Sequence, residues 1–353
     1  LRVDAACANL WPDSAKYEEA KMARRIVTVF GASGFLGRHV VRRLAASGAI
    51  VRAVVRDVEK ASFLKPMGEV GQVITMAANI ADPHAVERAV QGADMVINLV
   101  GLLFESGKQN FSKLHVDGAT NIARAAKIAG VTRLIHMSAL GADANSPSTY
   151  ASSKAKGEEA VRAAFPEAII FRPSVVFGPE DNFFNRFAAM IRWSPFLPVI
   201  CGDCPKIEFV DFMPKIDLLG NGGPKFQPVY VENVAEAIVS ATAQPGTTYE
   251  LVGPSVMSMK EVMEMVLAGT KRNRMILPIP FALARLQAFF LQFLPNPMLT
   301  PDQIKLLQCD NISSGKMPGL ADLNIAATPA ESVVPAYLAR FCSALTLAEA
   351  PRR

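Results

Sequence analysis

Three residues carry the clearest chemical signal in this chain: Ser138, then Tyr150 and Lys154 in the run Tyr150-Ala-Ser-Ser-Lys154. A tyrosine and a lysine four apart on a helix project from one face. A free phenol ionises near pH ~10 and is a poor base at neutral pH. A neighbouring ammonium favours the phenolate and lowers that value, and a serine hydroxyl can hydrogen-bond a reacting oxygen. The set suits proton transfer at a carbonyl or hydroxyl, with Ser138, Tyr150 and Lys154 as the candidate catalytic residues. Tyrosine and lysine at this spacing recur by chance, so the surrounding elements decide what the set means.

Those elements begin with Arg25-Ile-Val-Thr-Val-Phe-Gly31-Ala-Ser33-Gly34-Phe35-Leu36-Gly37-Arg38-His-Val40. An apolar, β-branched run stops at glycine, three glycines follow at G-x-x-G-x-x-G spacing, and a helical apolar pattern continues through Val41 and Leu44. Strand, tight turn and helix in that order form the setting of a dinucleotide-binding loop. Gly31 permits the turn, Gly34 lets the backbone approach a pyrophosphate, and Gly37 lets helix and strand pack closely. Phosphates would rest on free N–H groups at the helix's positive end. Gly31, Ser33, Gly34, Phe35, Leu36, Gly37 and Arg38 are therefore candidate cofactor-binding residues. The plain alternative is a structural turn that holds no nucleotide.

Cofactor choice follows from strand two. An acidic residue about twenty positions past the glycines marks NAD through the ribose 2′-OH, whereas an arginine accommodates the 2′-phosphate of NADP. Arg56 stands there with Arg38 near the loop, so NADPH is favoured over NAD; Asp57 is the competing feature.

Along the chain, strands are expected at Ile50–Val55, 72–77, Met95–Val100, Leu134–Ser138 and Ala168–Phe171. Helices alternate with them from Pro83, from about Phe111 to Gly130, and over Tyr150–Ala164. Buried strands alternating with helices predict an α/β chain with a Rossmann-like, doubly wound parallel sheet. Ser138 leaving strand five and Tyr150 opening the next helix then meet near the carboxyl edge of the sheet, where a nicotinamide would lie. Beyond Pro173 the pattern loosens into a smaller, mostly helical C-terminal lobe. Pro228–Val231 and a helix from Asn233 to Ala243 are expected to return to the main sheet, and 202–221 reads as an inserted surface loop. The division is then a 1–24 disordered extension, a nucleotide domain of 25–178 plus about 226–245, a lobe of 179–225 and 246–345, and a 346–353 tail. Residues 281–294, between two prolines, form an apolar helix about 21 Å long, suited to burial or to a partner or membrane surface.

Composition narrows the function. The chain has 353 residues, half of them hydrophobic, enough for a large core. A net charge of +5 is too mild and dispersed to argue for nucleic acid. The 4 histidines show no metal-ligand spacing, and Cys201-Gly-Asp-Cys204 lacks two further zinc ligands, so no metal site is assigned. An odd, scattered set of cysteines fits a reducing compartment. No apolar run reaches the ~18 residues of a bilayer span. Met22 precedes the first strand as a natural start.

These residues together resemble the short-chain dehydrogenase/reductase superfamily, in its extended or atypical branch, over about residues 25–250. Arg172-Pro173-Ser174-Val-Val176-Phe-Gly178-Pro179 is similar to the segment lining the nicotinamide side, and Pro228 to Ile238 to a later strand–helix signature. Within that branch the runs Phe165–Ser174, Gly178–Asn185, Lys225–Val231 and Leu299–Leu307 resemble the alpha-subcomplex subunit nine family of complex I accessory subunits, alphaproteobacterial type. The resemblance implies that Asn79, Ile80, Leu99, Val100, Gly101, Pro173 and Val176 join Tyr150 and Lys154 in binding the cofactor. It also implies a tightly held, mainly structural NADPH, partners among complex I subunits near the quinone site, and no known turnover of a substrate. Its location would be peripheral, on the cytoplasmic side of a bacterial inner membrane or the matrix side in a mitochondrion. Residues 281–294 would offer a surface to quinone or lipid. Two departures stand out: His115 replaces an asparagine usual in extended-branch enzymes, and the acidic signature after strand three is reduced to Asn79-Ile-Ala-Asp82. The first bears on proton relay, although His115 reads better as a packed or surface residue. The competing function is an active NADP-dependent oxidoreductase or epimerase, or an accessory factor in ubiquinone biosynthesis.

Overall fold

A computed structural model describes residues 25–342 apart from 106, 108–109, 203–205, 211–212, 218 and 295–296. The expected 1–24 extension and 346–353 tail lie outside the described residues. The main sheet has seven parallel strands: β1 (Ile26–Phe30), β2 (Ile50–Val55), β3 (Val73–Ala77), β4 (Met95–Asn98), β5 (Arg133–Met137), β6 (Ile169–Pro173) and β7 (Thr248–Leu251). Their order is β7-β6-β5-β4-β1-β2-β3, so the winding reverses between β1 and β4.

Alternation along each strand feeds two cores. Val27 and Val29 point to a cluster shared with Val40, Val41 and Leu44 of α1 (Phe35–Ala46), while Phe30 joins the cluster on the other face. That second face is covered by α2 (Pro83–Val90), α3 (Gly118–Ile128) and α4 (Thr149–Ala164), through Val86, Ile122 and Val161. Strands buried on both faces must be apolar throughout, which is why they were legible. The expected helix from 111 to 130 starts differently: Ser112–Asp117 is a π-helical turn ahead of α3. A Cβ on Gly157 of α4 would lie 2.2 Å from the His115 carbonyl oxygen, so the widened turn packs directly on the α4 backbone.

The smaller lobe has its own core, built from α5 (Phe184–Met190), α7 (Met259–Thr270), α8 (Phe281–Leu291) and α10 (Ala330–Leu338). Two expectations need correction. Val229–Tyr230 pairs with Val176–Phe177 in a separate two-stranded sheet, and β7 completes the main sheet instead. The helix that follows, α6 (Val231–Val239), does pack on the nucleotide domain through Val234, Ala235 and Ile238. β7 escaped notice because it is short and carries a buried glutamate. Glu250 is satisfied by the Ser313 and Ser314 hydroxyls and the Ser314 N–H, a pairing no local pattern announces. The stretch expected as an inserted loop holds an antiparallel hairpin, Lys206–Val210 against Met213–Asp217. Cys201 is disulfide-bonded, which the odd, scattered cysteine set did not announce.

Helix α8 is inverted relative to ordinary surface helices. Ala284 and Ala288 face inward, while Leu286 (57% exposed), Phe290 (64%) and Phe293 (74%), the last just beyond the helix, face out. Burial of the 281–294 segment is therefore the reading the structure rejects. Among the described residues no helix is long and apolar enough to cross a membrane.

Candidate functional site

The glycine loop sits at the reversal of strand order, where α/β sheets open a crevice for ligands. Gly31 ends β1 at φ +79°, and a Cβ there would stand 3.1 Å from the Leu99 carbonyl carbon. The loop is closed by the Gly34 N–H on the Gly31 carbonyl at 3.0 Å. A Cβ on Gly37 would lie 2.2 Å from that same carbonyl oxygen, so only glycine lets α1 seat on the turn. No side chain caps the start of α1 at Gly34, and the amides of its first turn, with Phe35 and Leu36, are left for an anion.

The ribose side is equally defined. Arg38 lies over the Phe63 ring at 5.1 Å, and Arg56 is exposed just past β2. Asp57 is committed elsewhere. Its Oδ1 accepts the Glu59 and Lys60 N–H groups, both at 3.1 Å, and these bonds with the Lys60 charge hold its carboxyl below the usual range. Asn79 is exposed and caps its own turn on Ala81, whereas the Ile80 side chain is core and its carbonyl is held by Asn121. Any contact Ile80 makes with a cofactor is thus through backbone.

At the β4 edge, Leu99 and Val100 follow the sheet, and Gly101 leaves room for Lys154: a Cβ there would come 3.2 Å from Nζ. Lys154 is buried and donates to the Met137 carbonyl at 3.1 Å; burial draws its ammonium down to about 8, with Glu158 opposing. Ser138, one residue on, is 4% exposed and its Oγ has no partner among the described protein atoms. Pro173 anchors the far wall by accepting the Leu140 N–H at 2.9 Å, and Val176 is half-buried beyond it.

Tyr150 departs from expectation. Burial pushes its phenol up to about 12, opposite to the lowering anticipated from Lys154. Its ring meets Phe111 and His115 edge-on at 5.8 Å and 5.7 Å. His115 is packed and structural: Nε2 accepts the Leu102 N–H at 3.0 Å, Nδ1 bonds Ser153 Oγ at 2.8 Å, and Ser153 donates to the Tyr150 carbonyl. With Nε2 accepting, the ring is neutral, and burial followed by the Lys154 charge pushes it down to about 3. The asparagine's place is thus taken by a strut joining the loop after β4 to α4.

Sequence reasoning missed Asp302, which accepts backbone N–H groups of the first turn of α4, and the Glu158–Arg172 pair that joins α4 to β6. Asp302 has no local signal. The only trace of the pair was an internal Gly157 on a helix also carrying Glu158, Tyr150 and Lys154.

A glycine cradle that excludes any Cβ, uncapped amides, and an orphaned buried hydroxyl beside a buried lysine fit a nicotinamide dinucleotide. The fold and site define an NAD(P)-binding Rossmann protein. The chain belongs to the NAD dependent epimerase/dehydratase family, whose model matches residues 27–251. It is 36% identical over 87% of its length to the mouse mitochondrial "NADH dehydrogenase [ubiquinone] 1 alpha subcomplex subunit 9", covering 78% of that protein. It is 31% identical over 84% of its length to the Neurospora crassa mitochondrial "NADH-ubiquinone oxidoreductase 40 kDa subunit", covering 74% of it. Among solved structures, the Escherichia coli NADPH-dependent quinone oxidoreductase QOR2 complexed with NADPH superposes with a TM-score of 0.64 at 19% identity, over 88% of this chain and 99% of that one.

Proposed function

We propose that this protein is an NADPH-holding accessory subunit of NADH:ubiquinone oxidoreductase, respiratory complex I, in which the nucleotide is mainly structural. The carrying observation is the reach of the likeness. The two complex I subunits match 87% and 84% of the chain, past the family's 27–251 stretch and into the lobe that bears α8. Site chemistry supports the same reading. Burial raises the Tyr150 phenol and lowers His115, so Tyr150 is a poor base at neutral pH and His115 is a packed, neutral ring.

NADPH is favoured over NAD because Asp57 is spent on its own turn, while Arg38 near the glycine loop and the exposed Arg56 past β2 would meet a 2′-phosphate. Gly31 to Arg38 would hold the pyrophosphate, and Tyr150 with Lys154 the nicotinamide ribose. When bound, the cofactor supplies a hydride donor or acceptor; Ser138 would hydrogen-bond a carbonyl brought beside it. The partners are complex I subunits near the quinone site, met through the outward face of α8, with quinone or lipid alongside. The protein is then peripheral, on the cytoplasmic side of a bacterial inner membrane or the matrix side of a mitochondrial one.

One observation favours a second reading, an active NADP-dependent oxidoreductase or epimerase: Ser138 Oγ is buried and unclaimed in a complete serine–tyrosine–lysine set. Gentle-detergent extraction and native separation distinguish the two. The accessory subunit migrates with complex I carrying stoichiometric NADPH. A free pool that exchanges nucleotide, with complex I intact in a deletion strain, overturns the assignment.

A further inference from the structure

The first turn of α4, which carries Tyr150, is held by a residue from the other lobe. α9 (Pro301–Leu306) opens with a Thr300 capping box and presents Asp302. One Asp302 oxygen accepts the Ser148 hydroxyl at 2.8 Å and the Tyr150 N–H at 3.0 Å; the other accepts the Thr149 N–H at 2.7 Å. The Asp302 carboxylate thus takes up donors at the positive end of a 16-residue helix, from 152 residues downstream of Tyr150.

We propose that Asp302 is a positioning residue for Tyr150: it fixes the first turn of α4 and offsets the helix's positive field, so that the Tyr150 phenol ionises at a higher pH than it would without that carboxylate. This rests on the nucleotide site proposed above. A helix N-terminus carries roughly half a positive charge, which together with Lys154 would favour a phenolate. A full negative charge on the same amides opposes both. The other charged or titratable groups around Tyr150 do not replace it. Lys154, one turn along α4, points its Nζ at Met137. His115 on the π-turn and His136 on β5 are both neutral. Lys305 on α9 lies 4.0 Å from Asp302 and donates to the Pro147 carbonyl.

The test uses full-length, NADPH-loaded protein with 3,5-difluorotyrosine incorporated throughout, which brings phenol ionisation into an accessible pH range. The Tyr150 fluorine resonance is assigned from its loss in Tyr150→Phe. Asp302→Asn keeps an acceptor but removes the charge, and its Tyr150 midpoint falls by on the order of half a pH unit. Asp302→Glu titrates like the parent. Lys305→Met, at a partly exposed position, shifts the midpoint upward. An unchanged or raised midpoint in Asp302→Asn overturns the proposal. If that variant does not fold, an unchanged midpoint in Lys305→Met overturns it. Nucleotide retention and migration with complex I are read separately, so failure here is distinct from failure of the proposed function.

Discussion

Arg172 holds Glu158 through two hydrogen bonds, Nε to Oε1 at 2.8 Å and Nη2 to Oε2 at 2.6 Å, and so ties β6 to α4 inside the protein. Two-point arginine–carboxylate pairs are among the stronger charge-assisted contacts, and this one is largely shut off from water. Arg172→Met should strand the Glu158 carboxylate and destabilise the protein by about 3–5 kcal/mol. Pairing it with Glu158→Gln should recover a good part of that loss. Denaturant unfolding of the two variants checks both statements.

The contact between Gly37 and the Gly31 carbonyl gives a steric prediction. Gly37→Ala must push α1 off the glycine turn, since its Cβ would stand 2.2 Å from that oxygen. Overpacking of this kind costs about 1–3 kcal/mol. Nucleotide affinity should fall by roughly tenfold or more, because the displaced amides are the ones proposed to meet phosphate. Calorimetric titration with NADPH and a thermal melt measure the two effects.

Arg56 is exposed at the end of β2 beside an Asp57 locked into its own turn. Arg56→Asp should weaken NADPH by about 10–100-fold, the worth of a charge-assisted hydrogen bond to the 2′-phosphate. NADH, which lacks that phosphate, should change little. Equal losses for the two nucleotides would sink the NADPH assignment.

Acid should unfold this protein through two histidines. His115 and His136 are each pushed from an ordinary value near 6.5 to about 3, burial first and then the Lys154 charge. Their folded values lie below their unfolded ones, so the unfolded chain takes up protons first as pH falls. Stability on this account is full above pH ~6.5 and is lost as pH drops toward ~3, by up to about 1.4 kcal/mol per pH unit for each ring. Unfolding curves at pH 7.5 and 5.5 should show the loss, and His115→Asn should halve its slope. A slope unchanged by that substitution contradicts the assignment.

The outward face of α8 predicts a change of behaviour without a change of fold. Phe290→Glu with Phe293→Glu should leave the melting temperature within a few degrees, since both side chains face solvent. The same pair should release the protein from complex I or the membrane fraction in a native separation. Unchanged migration would remove α8 from the docking surface.

Sequence by itself determined the first six main-sheet strands, the glycine loop and the serine–tyrosine–lysine set. Each is a local pattern: apolar runs for the strands, a turn only glycine can make, and a tyrosine–lysine spacing on one helix face. The Gly31–Gly37 cradle is one contiguous stretch, whereas the fold class and the family rested on alternation and motifs spread over about residues 25–250. What only the tertiary structure decided are relations between segments far apart in the chain. β7 replaces Val229–Tyr230 in the sheet because Glu250 finds serines at 313 and 314. His115 becomes a neutral strut because Leu102 and Ser153 claim both its nitrogens. Burial in the folded chain pushes the Tyr150 phenol up, and Asp302 reaches its backbone N–H from 152 residues away. Spacing can show which groups are present. Desolvation and long-range pairing set their charge, and both exist only once the chain has closed around them.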